Sequence, residues 1–386
     1  MSTVTTYRPA SLAELRDALA DSARAGEPLA VAGAGTAADW GGEPTYDAVL
    51  DTTAMSGLIS YNPTDMTVAV QAGMPFAALQ ETLAAHAQWV ALDPARASDG
   101  ATVGGLVATA DAGPVRHTFG TSRDCVIGVT VVLADATVAR SGGHVIKNVA
   151  GYDLAKLFHG SLGTLGVLAE VVLRVHPRAA ATATLAVPCD AAAAFELGGR
   201  LIHGSLEPVA VEWCDGTLLA RFDGTAGGVD DRGRRATALA GADAQWLPGD
   251  DERAATHWQG VAGLVRGIDG DTVVRLGTAP DRTPALAGLV TREAAAHAVD
   301  AAMTSSPFAG AHTVRLRGGT AAAHAAVVTA LRADYPATTV CRWAAGLRVE
   351  LPAWGAPPPA VAVLRAVKRA FDPDDRLGNG RFAPWF

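Results

Sequence analysis

Three glycine-rich segments carry the residue types that could do chemistry, and each offers backbone more than side chain. In VAGAGTAADWGG, residues 31–42, Gly33, Gly35 and Ala38 fit a dinucleotide-binding fingerprint in its Gly/Ala form, and Asp51 follows at nearly the expected distance. That fingerprint needs a helix before the next strand. Between Ala32 and the strand near Ala48, Gly41, Gly42 and Pro44 break any such helix. The segment therefore reads as a loop whose bare N–H groups form an anion-binding nest against a pyrophosphate. An ordinary glycine-rich strand-to-strand turn is an equal reading.

The second segment, ASDGATVGGLVATADAGPVRHTFG, residues 97–120, holds Gly100, Gly104, Gly105, Gly113 and Gly120 among small residues. So little side-chain volume suits a packed region only where another backbone or a flat ligand takes the space. Val103, Leu106 and Val107 anchor it in a core, while Thr102, Thr109 and Arg116 add donors for phosphate and carbonyl oxygens. In the third, GGHVIKNVAGYDLAKLFHGSLGTLGVLAEV, residues 142–171, Asp153 is placed to cap a short helix ending at Gly160. The GTLG loop at 163–166 then feeds a strand and lets backbone groups meet the edge of an aromatic ligand.

The elements that must position these segments are legible in the flanking sequence. Ser11 with Glu14 forms a capping box before the helical stripe Leu12, Leu15 and Leu19. Leu29–Ala32, Ala48–Leu50 and Thr67–Gln71 read as strands, and Pro75 opens a helix with the inner stripe Phe76, Leu79 and Leu83. Val126–Leu133 turns through Asp135-Ala136 into Thr137–Arg140 as a hairpin, and Val167–Val175 alternates until Pro177 ends it. From about residue 179 alanine dominates. Candidate strands at Val209–Trp213, Leu218–Phe222, Thr313–Leu316 and Leu347–Leu351 alternate there with alanine-rich helices, which predicts a second α+β domain on an antiparallel sheet. A last helix spans Val361–Ala370.

The bulk numbers exclude several classes. A chain of 386 residues exceeds what one hydrophobic core usually serves, so two packed units are expected. The formal charge of −8 argues against a nucleic-acid partner and a basic membrane face. The N-terminal stretch lacks the pattern of a secretory signal, and no run approaches the ~18 apolar residues that read as a transmembrane segment. The chain thus reads as cytoplasmic. Cys125, Cys189, Cys214 and Cys341 stand apart from one another, without metal or redox spacing, so the chain is expected to carry no iron–sulfur cluster and no metal. Electrons it receives must pass to oxygen, a soluble acceptor or another subunit.

In order and spacing, the three segments resemble the FAD-binding domain of the vanillyl-alcohol oxidase and p-cresol methylhydroxylase superfamily. Within it, KNVAGYDLAKLFHGSLGTLGVLAE is similar to the FAD-binding subunit of glycolate oxidase, as are LDTTAMSGLISYNPTDMTVAVQAGMPFAALQETL upstream and the tail FDPDDRLGNGRF. The resemblance implies an α+β fold. A PCMH-type FAD-binding domain of two small subdomains would span residues 1–178, and a cap domain on an antiparallel sheet residues 179–356. A C-terminal segment, residues 357–386, would return to the first domain. It also implies that Gly33, Gly35 and Thr36 face the pyrophosphate, and that Thr102, Gly104, Gly105, Gly113, Arg116 and Gly120 line the cofactor, with Val126 and Gly128 beyond them. Gly163, Thr164, Gly166 and Val167 would run beside the adenine or ribose. No histidine lies in residues 31–38 to tether the ring, so FAD is expected to be non-covalent.

Two departures bear on catalysis. Leu162 stands where catalytically complete relatives carry glutamate in GSEGTLG, and LGNGRF replaces an LNPGK-like ending. Oxidation of a 2-hydroxyacid needs a base for the hydroxyl and a cation for the carboxylate, both over the flavin. Lys147, Asn148, Tyr152, Glu212, Trp213, Arg315 and Arg342 are of the right types, yet each has a capping, core or surface role at least as natural. His117 fits cofactor contact better than catalysis, and Glu170 a structural pair. No catalytic base is assigned. The resulting expectation is a flavin-binding subunit of a glycolate (2-hydroxyacid) dehydrogenase, beside a larger flavoprotein subunit and an iron–sulfur subunit that would supply any membrane association. A self-sufficient flavin oxidase for another alcohol or sugar acid, and a non-catalytic scaffold with the same fold, stand as alternatives.

Overall fold

The computed structural model describes residues 4–144 and 151–386. The chain divides into two compact units. The first comprises Met1–Ala112, Gly120–Arg178 and Pro357–Phe386; the second comprises Gly113–Phe119 and Ala179–Ala356. The segment Gly113–Phe119 thus groups with the later half of the chain, unlike the continuous division at residue 178 expected from sequence. Side-chain packing accounts for it: the His117 ring meets Phe308 edge-on at 6.4 Å.

Two sheets of opposite kind build the first unit. A parallel sheet orders the strands Thr5–Tyr7, Ala48–Asp51 and Leu29–Ala32, and a five-stranded antiparallel sheet orders Leu58–Asn62, Thr67–Gln71, Val167–Arg174, Val126–Val132 and Val138–Gly142. The helix Leu12–Ala25 starts at Ser11, whose hydroxyl accepts from the Glu14 N–H, and ends at Gly26. Its buried Leu15 and Leu19 join Leu29, Leu50, Val132 and Val167 in one core. A second core sets Phe76, Leu79 and Leu83 of helix Phe76–Ala84, with Leu106 and Val107 of helix Val103–Thr109, against Val68, Val70 and Val171. The strand Thr67–Gln71 is covered on both faces, which explains its run of buried residues.

The C-terminal segment completes this unit through buried charge. On helix Val361–Phe371, Lys368 turns inward and donates to the Thr164 carbonyl at 3.1 Å, the Leu377 carbonyl at 2.9 Å and the Asp372 carboxylate at 2.5 Å. Asp372 also accepts from the backbone N–H groups of Arg376 and Leu377, and the buried Arg376 guanidinium donates to Ser22 Oγ and the Ala134 carbonyl.

The second unit is one eight-stranded antiparallel sheet. Its order is Gln245–Pro248, Ala181–Pro188, Thr217–Gly224, Ala210–Cys214, Asp300–Ser306, Ala311–Arg317, Thr272–Gly277 and Thr339–Arg342. Helices Ala191–His203, Thr283–Ala296 and Ala321–Asp334 supply Leu197, Leu201, Leu286, Leu289, Val327 and Leu331 to its main core. Helix Glu252–Arg266 supplies Ala254 and Val261 to a smaller one. An antiparallel cap-type sheet in an α+β setting is what the sequence predicted. The strand expected at Leu347–Leu351 is instead a helical turn, Leu347–Glu350. Gly346 reverses the chain at φ +80°, and the buried pair Leu347 and Leu351 is spaced four apart, as a helix requires. Among the described residues no helix is long and apolar enough to cross a membrane.

One buried imidazole makes the second unit sensitive to acid. His312 lies 2.7 Å from both Ser305 Oγ and Thr278 Oγ1, and burial lowers its pKa from 6.5 to about 4. Between these two values the unfolded chain binds the proton and the folded chain does not, so stability falls as pH drops through that window. Urea denaturation is expected to show a loss on the order of 2 kcal/mol on going from pH 7 to pH 5. His312→Gln is expected to flatten that slope.

Candidate functional site

The first unit contains a cleft with about 950 Å³ of empty space, part of it open solvent. Its walls come from three stretches: Val31–Ala38 with Trp40, Ala101–Asp111 in part, and Ser161–Leu168 in part, with Thr52, Ala72, Arg96 and Arg381 between them. These are the three glycine-rich segments. Of the residues singled out from sequence, Gly33, Gly35, Thr36, Thr102, Gly104, Gly105, Gly163, Gly166 and Val167 are brought together here.

Local structure explains why the walls are bare. Leu29–Ala32 and Ala48–Asp51 are parallel neighbours, and the chain between them crosses back without a helix. The N–H groups of Gly33, Ala34, Gly35, Thr36 and Ala37 find no acceptor among the described residues. These residues are half-buried to exposed, so their donors are free to meet water or an anion, and a row of such N–H groups is suited to an anion. Gly35 takes φ +73°, and nothing of the protein lies within 4 Å of where its Cβ would stand, so the position opens onto space. Gly33 is constrained the opposite way: a Cβ there would come within 2.4 Å of Thr102 Oγ1.

Thr102 is the N-cap of helix Val103–Thr109, its hydroxyl accepting from the Gly105 N–H at 3.2 Å. The N–H groups of Val103 and Gly104 are taken by carbonyls of the turn that follows strand Thr67–Gln71, Val103 on Met74 and Gly104 on Ala72. This helix end is thus spent within the protein, and the open donors belong to the Gly33–Ala37 loop. On the opposite wall Leu162 adopts φ +51°, uncommon for a branched side chain, while its N–H donates to the Ala108 carbonyl at 2.8 Å.

The charged groups of the wall were not legible in the sequence. Arg96 and Asp111, 5% and 2% exposed, form a buried pair at 3.4 Å, and the Arg96 guanidinium lies 4.6 Å over the Trp40 ring. Arg381 donates to the carbonyls of Ala38 at 2.6 Å and Trp40 at 3.0 Å. Nothing in residues 93–100 marks Arg96 as buried, and its partner stands fifteen positions later. The one available signal is that Arg96 immediately precedes the segment poorest in side-chain volume.

Several sequence candidates sit elsewhere. Thr164 is buried beside the wall, donating to the Ser161 carbonyl at 2.8 Å. Gly113 and Arg116 belong to the segment grouped with the second unit, where Arg116 Nε donates to the Gly113 carbonyl at 2.9 Å. Gly120 leads into the capping box of Thr121 and Asp124, Val126 is a core residue, and Gly128 lies in the sheet opposite Gly142. Gly120, Val126 and Gly128 are not among the residues that line the cleft. Asp153 pairs with Lys156 at 3.2 Å, and Leu154 occupies the N-cap position without a side-chain bond. Lys147 and Asn148 lie outside the described residues, and Tyr152 is 88% exposed.

In the second unit Trp213 donates to the Cys189 carbonyl at 3.0 Å, Arg315 pairs with Asp300 at 2.9 Å, and Arg342 pairs with Asp269 at 3.1 Å. Glu212 is buried and accepts from Thr304 at 2.5 Å and from Ser306. Burial lowers the pKa of His117. Glu170 accepts from Thr130 Oγ1 at 2.7 Å, a structural pair.

Comparisons with known proteins point to the same class of cofactor. A family model described as FAD binding domain matches residues 5–142. The chain is 31% identical to glycolate oxidase subunit GlcE of Escherichia coli over 256 residues, covering 66% of this chain and 67% of that one. It is 32% identical to mitochondrial D-lactate dehydrogenase [cytochrome] 1 of Saccharomyces cerevisiae over 136 residues, 35% of this chain and 23% of the yeast protein. Among solved structures, alkyldihydroxyacetonephosphate synthase superposes with a TM-score of 0.71 at 14% identity, covering 97% of this chain and 76% of that one; the likeness is one of fold.

The buried pair gives a direct stability test. Asp111→Ala leaves the Arg96 guanidinium in the wall without its carboxylate and is expected to destabilise by about 3–5 kcal/mol in chemical denaturation. Arg96→Met combined with Asp111→Leu is expected to recover most of that loss.

Proposed function

The chain belongs to the FAD-binding domain family that includes glycolate oxidase subunit GlcE, and on that premise we propose that it holds FAD non-covalently in this cleft, as the flavin-binding subunit of an assembly that oxidises a 2-hydroxyacid, glycolate, to its 2-oxoacid. The observation that carries the reading is the run of five open backbone donors at Gly33–Ala37 beside Gly35, where the protein leaves space. Backbone donors in a row suit the diphosphate of a dinucleotide.

The residues divide the work. Gly33, Gly35 and Thr36 face the diphosphate. Thr102, Gly104 and Gly105 form the opposing wall, and Gly163, Gly166 and Val167 run beside the adenosine. Among the described residues lining the cleft there is no histidine, cysteine or tyrosine, which supports non-covalent attachment. When bound, FAD supplies the two-electron acceptor for the hydride leaving the hydroxyl-bearing carbon. Asp111, the acid of the cleft wall, is engaged with Arg96, and no catalytic base is assigned.

The substrate class follows the relatives, whose names state glycolate oxidase and D-lactate dehydrogenase. The word subunit in the first supports an assembly, and Leu162 in place of the family's glutamate supports a chain that works with partners. The proposed partners are a larger flavoprotein subunit and an iron–sulfur subunit. We place the chain in the cytoplasm, with any membrane attachment supplied by them.

Gentle purification from the native host tests the whole reading. The expected outcome is a yellow assembly that releases FAD on heat denaturation, contains a second flavoprotein chain and iron, and is bleached by glycolate. A colourless chain that takes up no FAD on reconstitution rejects it. Gly33→Val, which drives a side chain into Thr102, is expected to keep its circular dichroism spectrum and lose the flavin.

A further inference from the structure

The C-terminal tail does more than return to the first unit. Its residues 376–381 reach both loops that wall the cleft. Leu377 pairs with Leu29 as a parallel bridge, with the Leu29 N–H on the Arg376 carbonyl at 2.6 Å and the Gly378 N–H on the Leu29 carbonyl at 2.9 Å. The tail thereby runs along the strand that leads into the Gly33–Ala37 donors. Further on, the Gly42 N–H donates to the Arg381 carbonyl at 2.8 Å, and the Thr45 N–H to the Asn379 carbonyl at 2.9 Å. The two backbones lie so close that a Cβ on Gly42 would stand 2.1 Å from the Gly380 carbonyl oxygen.

The opposite wall is reached as well. A Cβ on Gly378 would stand 3.0 Å from Thr164 Cγ2, and Lys368 holds the Thr164 carbonyl. The side chain that closes this arrangement is Arg381. Its guanidinium spans the carbonyls of Ala38 and Trp40, at the point where the donor loop turns away from the cleft, and it lines the cleft itself. A loop of glycine and alanine has little packing of its own to fix its shape, and a single guanidinium nitrogen, Arg381 Nη1, shared by two of its carbonyls supplies it.

We propose that Arg381 is a positioning residue for FAD: it holds the Gly33–Trp40 loop in the conformation that presents its N–H groups to the diphosphate. Cofactor binding and the order of the tail are therefore coupled. This rests on the FAD reading of the cleft. Linkage makes the coupling reciprocal, so FAD must tighten the tail as much as the tail tightens FAD.

The test uses the full chain, stripped of flavin and titrated with FAD, as wild type, Arg381→Ala and Arg381→Lys. Hydrogen exchange is followed at residues 377–381 with and without FAD. Arg381→Ala is expected to melt within a few degrees of wild type yet bind FAD about tenfold or more weakly. Arg381→Lys, a cation on a more flexible stem without the preorganised planar guanidinium, is expected to lie between them. In the wild type FAD slows exchange at residues 377–381, and in Arg381→Ala that slowing disappears. A residue that merely stabilised the fold would shift the melting point and leave the flavin-dependent difference in place. Equal FAD affinity in wild type and Arg381→Ala, or tail exchange indifferent to FAD in the wild type, overturns the assignment. A wild-type chain that takes up no FAD overturns the reading on which it rests.

Discussion

Open backbone donors are useful only where something else holds them open. A run of N–H groups such as Gly33–Ala37, half-buried to exposed, would turn onto nearby carbonyls if its neighbours let the loop refold. Here the neighbours prevent it. The two parallel strands that launch and receive the loop are pinned in register, Thr102 blocks approach from one side, and the tail occupies the hydrogen-bonding edge on the other. The rest of the first unit serves to keep those boundaries fixed. The Lys368–Asp372–Arg376 network is buried and satisfied on several sides, which makes the tail a fixed wall.

Division of labour between backbone and side chain runs through the site. Glycine and alanine give the wall its closeness to a ligand, while the few charged groups are held by other protein groups first. Arg96 is set by Asp111 and Trp40, and Arg381 by two carbonyls. Such anchoring fixes guanidinium positions before any ligand arrives, which limits the entropy lost on binding.

Much of this could be read from the residues alone. The capping box at Ser11, the inner stripe of helix Phe76–Ala84 and the alternation of Val167–Arg174 each obey a local rule, and the structure follows them. The rejection of a crossover helix after Ala32 rested on Gly41, Gly42 and Pro44, and the chain indeed crosses without one. What local rules miss is anything set by distant contact. Leu347–Leu351 alternates like a strand, but burial of its first and fifth residues makes it helical. Gly120 and Gly128 also serve the protein's own packing, one beside a helix cap and one between close strands. Arg96–Asp111 and the tail's hold on residues 38–45 join positions far apart in sequence, and no periodicity announces them.

A structure of the protein determined with FAD is the most direct measurement of the central claim. The diphosphate is expected against the N–H groups of Gly33–Ala37, with the adenosine along Gly163–Val167 and no covalent bond to the chain. Flavin seated away from that loop, or side chains of the protein itself filling the space beside Gly35, would contradict it.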